Sequence, residues 1–231
     1  MTDHKEIYQS HAENYDPLIM HEDYEGNLLK ALQEITTWEG TDVVDAGAGT
    51  GRFTCMLSPL VRSIQAFDRE DAMLEVAREK LQEMGTTNWQ LKTADHRSLP
   101  VADHSVDVVI SGWSVCYLVA WDEGDWRVEV TKAIREMKRI LRPGGWIILV
   151  ETQGTGFTEP TPPAHLLDYF QFLDEQGFAK RWIRTDYLFE SVEQAKALSG
   201  FFFGEEMADQ IQASNSRVLP ECTGIWWMQV A

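Results

Sequence analysis

Little in this chain points to a metal, to nucleic acid or to a membrane. Only three of its 231 residues are cysteine. Cys55, Cys116 and Cys222 lie far apart and form no CxxC pair, so neither a disulfide framework nor a metal site is expected. Basic residues are scarce: 20 Lys and Arg against 37 Asp and Glu leave a formal charge of −17. Such a surface repels phosphate backbones. The nearest basic cluster is Lys132, Arg135, Lys138, Arg139 and Arg142. Its helical spacing ahead of Pro143 reads as a solvated helix face, with cations favoured near the C-terminus. Nucleic acid is therefore not an expected partner. The longest weakly charged stretch, 108–121, falls short of the roughly 18 apolar residues a membrane span needs. The start, MTDHKEIYQSHAENYD, is polar and lacks the apolar core of a signal peptide. Repeats and low-complexity tracts are also missing. The expectation is a soluble cytoplasmic protein without a membrane partner. Apolar residues, by contrast, make up 44% of the chain, enough for a sizeable core. The length suits one large domain.

The middle of the chain alternates apolar runs with helical patterns. Residues 41–46 read as a strand, 52–60 as a helix and 63–67 as a second strand. Residues 71–84 carry Met73, Val76, Ala77, Leu81 and Met84 as a helical stripe. Residues 88–93 read as a third strand. VDVVIS at 106–111 is nearly all apolar, as in a central strand buried on both faces. Residues 125–141 predict a helix that stops before Pro143-Gly144-Gly145, and WIILVE at 146–151 a fifth strand. This alternation predicts a parallel α/β sheet with right-handed crossovers. The ends differ. Residues 1–37 look helical and polar, with Tyr8, Tyr15 and Tyr24 interspersed. A turn-rich connection spans 153–163. A helix at 166–177, a strand at 180–189, one or two helices at 191–214 and a strand at 223–230 follow. These ends read as additions around an α/β core that cover its open edge.

Residues 43–52, VVDAGAGTGR, run from an apolar strand through an acid into three glycines. A glycine turn between a strand and a helix is where open α/β sheets bind ligands. The dinucleotide fingerprint is GxGxxG. Here Gly47, Gly49 and Gly51 give GxGxG, with Arg52 in the sixth place. A phosphate-binding loop is not formed either, because no GK[ST] follows. Asp45 precedes the first glycine by two residues. Its carboxylate would repel a pyrophosphate and suit a cationic ligand.

From Asp45 onward the chain resembles the class I S-adenosylmethionine (SAM)-dependent methyltransferases of the type 11, or UbiE-like, small-molecule kind. Their first motif is D/E-x-G-x-G-x-G. Asp68 closes the second strand, where the family's acid takes both ribose hydroxyls, a pairing that suits a carboxylate acceptor. Ala94-Asp95-His96 follows the third strand, where the family's acid meets the adenine amino group. Leu99-Pro100 with 105–109 (SVDVV) resembles the approach to the fourth strand, and 141–145 (LRPGG) the turn before the fifth. The resemblance implies a Rossmann-like, seven-stranded, mostly parallel sheet. Its antiparallel last strand lies beside the fifth, helices cover both faces, and helical additions lie over the substrate side. It implies one domain over 1–231: a helical cap at 1–37, a SAM-binding core at 38–152, and substrate-side helices with the last two strands at 153–231. It further implies SAM as cofactor, S-adenosylhomocysteine as product, and cofactor contacts from Tyr15, Asp45, Ala46, Gly47, Gly49, Gly51, Asp68, Arg69, Ala94, Asp95, His96 and Ser111.

Candidates for the acceptor side are Trp113 and Tyr117 after the fourth strand, Glu151 at the end of the fifth, and His165 beyond it. No residue announces itself as a catalytic base. The missing NPPY-type signature weighs against methylation of nucleic acid or glutamine. A small-molecule acceptor on N, O or C is the leading reading. A catalytically silent SAM-binding protein and a protein methyltransferase are the alternatives, and a dehydrogenase would want glycine where Arg52 stands. Arg52 is read as a first-turn surface residue, and 201–203 (FFF) as buried core. The acidic surface would favour a cationic acceptor through long-range attraction. Oligomeric state is left open.

Overall fold

Alternation of apolar side chains along the central strands decides the architecture. The computed structural model describes residues 12–120 and 124–231. The expected start of the N-terminal cap with Tyr8, and Trp121, lie outside the described residues. In chain order the core elements are β1 (Asp42–Ala46), α3 (Arg52–Leu57), β2 (Ser63–Asp68), α4 (Asp71–Glu83), β3 (Trp89–Thr93), β4 (Val106–Gly112), α5 (Tyr117–Ala120), α6 (Trp126–Ile140) and β5 (Leu141–Thr155). They are preceded by α1 (Ala12–Ile19) and α2 (Asn27–Gln33). After β5 come a 3-10 turn (Ala164–Leu166), α7 (Leu167–Glu175), β6 (Ala179–Arg184), β7 (Tyr187–Leu188), α8 (Val192–Phe203), α9 (Glu205–Ser214), β8 (Val218–Leu219) and β9 (Glu221–Gln229).

Seven strands form one sheet in the order β3-β2-β1-β4-β5-β9-β6. β9 runs antiparallel to both β5 and β6, and the other pairings are parallel. The expected seven-stranded, mostly parallel sheet with a reversed last strand beside the fifth is therefore what the chain forms. Along β5, Ile147 and Leu149 pack toward α6 and α7, whereas Ile148 and Val150 pack toward α2 and α3. Period-two alternation thus fills a core on each face, as a doubly covered sheet requires. Strand order reverses between β1 and β4, which opens the carboxyl ends of both strands to a ligand.

Three expectations shift at the edges. The strand expected at 180–189 is split. Asp186 takes the Arg184 guanidinium at 2.7 Å and accepts the Glu221 N–H at 2.9 Å. The chain turns there, and β7 pairs with β8 in a separate two-stranded ribbon. The connection expected at 153–163 begins later, because β5 continues to Thr155 through a bulge between Thr152 and Gly154. The basic helix face is solvated at Lys132, Arg135 and Lys138 as expected, but Arg139 binds Glu136 and Asp103, and Arg142 lies on β5 and bridges Asp107 and Asp42.

A third apolar cluster joins Leu18 of α1 to Tyr187, Phe189, Phe202, Ile211 and Leu219. It forms a cap from both chain ends. The Phe201–Phe203 run belongs to this cap, where Phe202 lies 5.2 Å from the Tyr15 ring. Asp23 starts α2 by accepting the N–H groups of Asn27 and Leu28 at 2.8 and 2.9 Å, which satisfies donors a helix start leaves open. No helix among the described residues is long and apolar enough to cross a membrane.

Ile148 is fully buried at the centre of the sheet. Ile148→Ala should therefore cost about 2–5 kcal/mol in urea unfolding. Val128→Ala, on the exposed face of α6, should stay within about 0.5 kcal/mol.

Candidate functional site

The glycine turn is tied down before any ligand is considered. The N–H groups of Gly47 and Ala48 both donate to the Phe67 carbonyl, at 2.7 and 2.9 Å, so the end of β1 is pinned to the end of β2. Gly47 has φ +81°, and a Cβ there would lie 1.9 Å from Ser114 Oγ and 2.7 Å from His96 Nε2. Those two side chains meet each other at 3.0 Å and both line the cleft above the turn. The constraint on Gly47 thus comes from the cleft's own polar side chains. Gly51 is constrained differently: its Cβ would lie 2.8 Å from that of Ala77 on α4.

Two acids flank this turn. Asp45 is fully buried. Its Oδ2 accepts the Thr54 hydroxyl at 2.6 Å, and its Oδ1 has no partner. Burial, reinforced by the nearby Asp68, pushes its carboxyl up to about 7. Asp68 accepts the N–H of Gly49 at 2.8 Å and that of Glu70 at 3.0 Å. Burial raises it as well, against the pull of those N–H groups. His96 is driven the other way: burial lowers its pKa and favours a neutral imidazole.

The cleft encloses about 1100 Å³, its open mouth included. Of the residues expected at the site, it brings together Tyr15, Gly47, Gly49, Asp68, Arg69, His96, Trp113 and Tyr117. The others stand off its wall. Asp45 and Ala46 lie buried at the end of β1, Gly51 packs on α4, and Ala94 packs against the core. Asp95 is held by the Arg97 fork at 2.7 Å on each oxygen and by Arg69 at 3.7 Å. Although burial raises its carboxyl, Arg97 holds it at about 2. Ser111 is buried, with its hydroxyl unpartnered. Glu151 is fully buried behind the loop that follows β4, and His165 lies exposed on the 3-10 turn.

Arg52 is the main correction. It is no surface residue: it lines the cleft, its Nη1 meets Glu22 Oε2 at 2.5 Å, and its guanidinium lies 4.4 Å from the centre of the Trp113 ring. Glu22 also accepts the hydroxyls of Thr185 at 3.1 Å and Tyr187 at 3.0 Å. This pair ties the first turn of α3 to the cap. Trp113 sits at φ +47° and stacks on Phe53 at 5.9 Å. A left-handed tryptophan is uncommon, and backbone strain of this kind concentrates at functional sites. Ile19, Thr50, Glu70, Met73 and Leu118 also line the cleft beyond the expected set. Met73 belongs to the helical stripe of α4, whose period marks a core residue and not a cleft wall. Nothing local marks Arg52, because its partner lies 30 residues away.

Comparison with known proteins agrees with this geometry. Residues 44–149 match the model of a family described as a methyltransferase domain. A demethylmenaquinone methyltransferase of Staphylococcus aureus is 28% identical over 202 residues, covering 82% of this chain and 75% of that protein. Among solved structures, the YcgJ protein of Bacillus subtilis aligns with a TM-score of 0.63 at 18% identity, over 90% of this chain and 99% of its own. A SAM-dependent methyltransferase of Aquifex aeolicus gives 0.57 at 18%, over 99% and 94%. At that identity the structural likenesses speak for the fold.

Two substitutions probe the site. Arg52→Ala strands Glu22 in a buried position, so urea unfolding should show a loss of about 3–5 kcal/mol. Adding Glu22→Gln should recover part of it, as coupled neighbours do. Gly26 shares a positive φ with Gly47 but has open space around its Cβ position. Gly26→Ala should therefore cost about 1–3 kcal/mol, the scale of backbone strain, and Gly47→Ala distinctly more.

Proposed function

We propose that this chain is a class I SAM-dependent methyltransferase, as the methyltransferase-domain match and the related demethylmenaquinone methyltransferase support, and that it moves the cofactor's methyl group to a small-molecule acceptor held in the cleft beside Trp113 and Tyr117. The observation that carries the reading is the pair of acids on either side of the glycine turn, Asp45 fully buried and Asp68 half-buried at the cleft wall, both with carboxyls raised by burial. A buried carboxyl with an unpartnered oxygen fits a ligand that brings positive charge and no phosphate. A pyrophosphate would meet repulsion at the same place. The cofactor fits the residues present: Asp45 lies under the turn for its cationic end, and Asp68 stands at the end of β2 for its ribose hydroxyls. Arg69 and His96 extend the wall toward β3.

When bound, the cofactor supplies an electrophilic methyl on a sulfonium. The chain's residues contribute alignment and exclusion of water, which together account for much of the rate in such displacements. Tyr15 and Ile19 on α1 cover the cleft from the cap, and Trp113, Phe53 and Tyr117 supply apolar faces. Aromatic faces also stabilise a cation. The polar side chains at hand are engaged already: Asp68 by two backbone N–H groups, Ser114 by His96, Arg52 by Glu22. They position more readily than they exchange protons. A small molecule suits this enclosed cleft better than a protein segment.

Calorimetry tests the reading. SAM and S-adenosylhomocysteine should bind, and NAD should not. Asp68→Ala should weaken both by at least about tenfold, equivalent to about 1.4 kcal/mol. Incubation with SAM and a panel of small amines, phenols and enols should then give a product heavier by one methyl group. Binding of NAD with no binding of either SAM species would contradict the proposal.

A further inference from the structure

The loop that leaves β4 carries Trp113, Ser114 and Tyr117 into the cleft, and two consecutive residues of β5 hold it. At its start the Trp113 N–H donates to the Val150 carbonyl at 2.7 Å. Near its end the Cys116 N–H donates to Glu151 Oε1 at 3.1 Å, and the Tyr169 hydroxyl of α7 donates to the same oxygen at 3.1 Å. The first anchor is backbone and indifferent to sequence. The second is a side chain. Between the anchors the loop holds Trp113 in its left-handed conformation and Ser114 against His96.

Stability does not explain this carboxyl. Glu151 is fully buried, its Oε2 has no partner, and no ion pair is recorded for it among the described residues. A carboxyl buried so incompletely satisfied is costly, and apolar replacements of buried ionic groups are often neutral or stabilising. What it does is join β5, the loop and α7 at one oxygen. We infer that Glu151 is a positioning residue for the acceptor side, its carboxyl fixing the 113–117 loop and its ionisation tightening that hold. The inference rests on the reading that this loop borders the acceptor.

The titratable groups that face Glu151 are the Cys116 thiol from the loop and the Tyr169 phenol from α7. Burial raises both well above their usual values, so both stay neutral. Burial also pushes Glu151 itself up, to about 7, against the hydrogen bonds from Cys116 and Tyr169. An ionised carboxylate accepts those bonds more strongly than the neutral acid. The loop should therefore be held more firmly as pH rises through neutrality. His96 touches the same loop through Ser114, but burial lowers its pKa, so its titration falls on the acid side.

Fluorine NMR of protein labelled with 5-fluorotryptophan tests this without knowing the acceptor, with the Trp113 signal assigned by Trp113→Phe. In the unsubstituted protein that signal should shift with pH, with a midpoint at about 7. In Glu151→Gln, whose amide oxygen can still accept both bonds, the shift through neutrality should vanish. Tyr169→Phe removes a bond that favours the ionised form, so its midpoint should move upward. That variant decides the matter should Glu151→Gln fail to fold. A Trp113 signal that ignores pH, that titrates alike with and without Glu151, or whose midpoint is unmoved in Tyr169→Phe would overturn the inference. Calorimetry with S-adenosylhomocysteine on the same samples keeps the readings apart. Absent cofactor binding contradicts the methyltransferase reading, while the NMR result still judges Glu151.

Discussion

Two carboxyl groups beside a glycine turn, one fully buried and one half-buried at the cleft wall, set the terms for the rest of the site. Asp45 and Asp68 close adjacent parallel strands, and the backbone of Gly47 and Ala48 binds the end of one strand to the other. Neither acid has a basic side chain as hydrogen-bonding partner. Burial therefore raises both, and Asp68 adds like-charge repulsion to the cost of ionising Asp45. Such an arrangement is expensive in an isolated protein and becomes favourable when a cation arrives. Strain of this kind, resolved on binding, is what an unpaired buried acid offers a positively charged cofactor.

The same physics recurs where the cap meets the core, with a different resolution. Glu22 and Glu221 lie near each other under the cap, and Arg52 is the cation that pairs with Glu22. Glu221, raised first by burial and then by Glu22, is pushed up to about 8. At neutral pH one acid is paired and the other is protonated. The cap is thus fastened to the first turn of α3 by a buried ion pair, and the Tyr15 and Phe202 contact joins the cap's own two halves. The wall of the cleft therefore depends on residues from both chain ends as well as on the central motifs.

The core was legible in the sequence because its signals are local. VDVVIS and WIILVE carry the period and burial of central strands, and the acid–glycine turn carries its own chemistry. Asp68, Trp113 and Tyr117 follow from their places at strand ends. What was not legible depends on long-range pairing. Arg52 looks like any first-turn cation until Glu22 is brought to it by the cap. Asp95 sits in the right motif, but Arg97, two residues on, engages both its oxygens. Glu151 ends its strand as expected, yet the loop after β4 closes over it, so it acts behind the cleft wall. His165 is placed by a turn whose direction no local pattern specifies. The break at 185–186 follows from Asp186 binding both Arg184 and the Glu221 backbone, a contact that no alternation of apolar residues encodes.

The claim on which the functional reading rests is that Asp45, buried behind the glycine turn, acts on the cofactor's positive charge through the field it sets up there. It can be measured as a proton count. Its carboxyl lies at about 7 in the structure without ligand, and a nearby cation favours the ionised form, so binding must lower that value and release a proton. Calorimetric titration with SAM at pH 6.5, repeated in buffers of different ionisation enthalpy, counts the protons released. Roughly half to three-quarters of a proton per cofactor is expected, the fraction that such a group holds at that pH, and Asp45→Asn should abolish most of it. Tight binding with no proton released, or with the same release in Asp45→Asn, would contradict the claim.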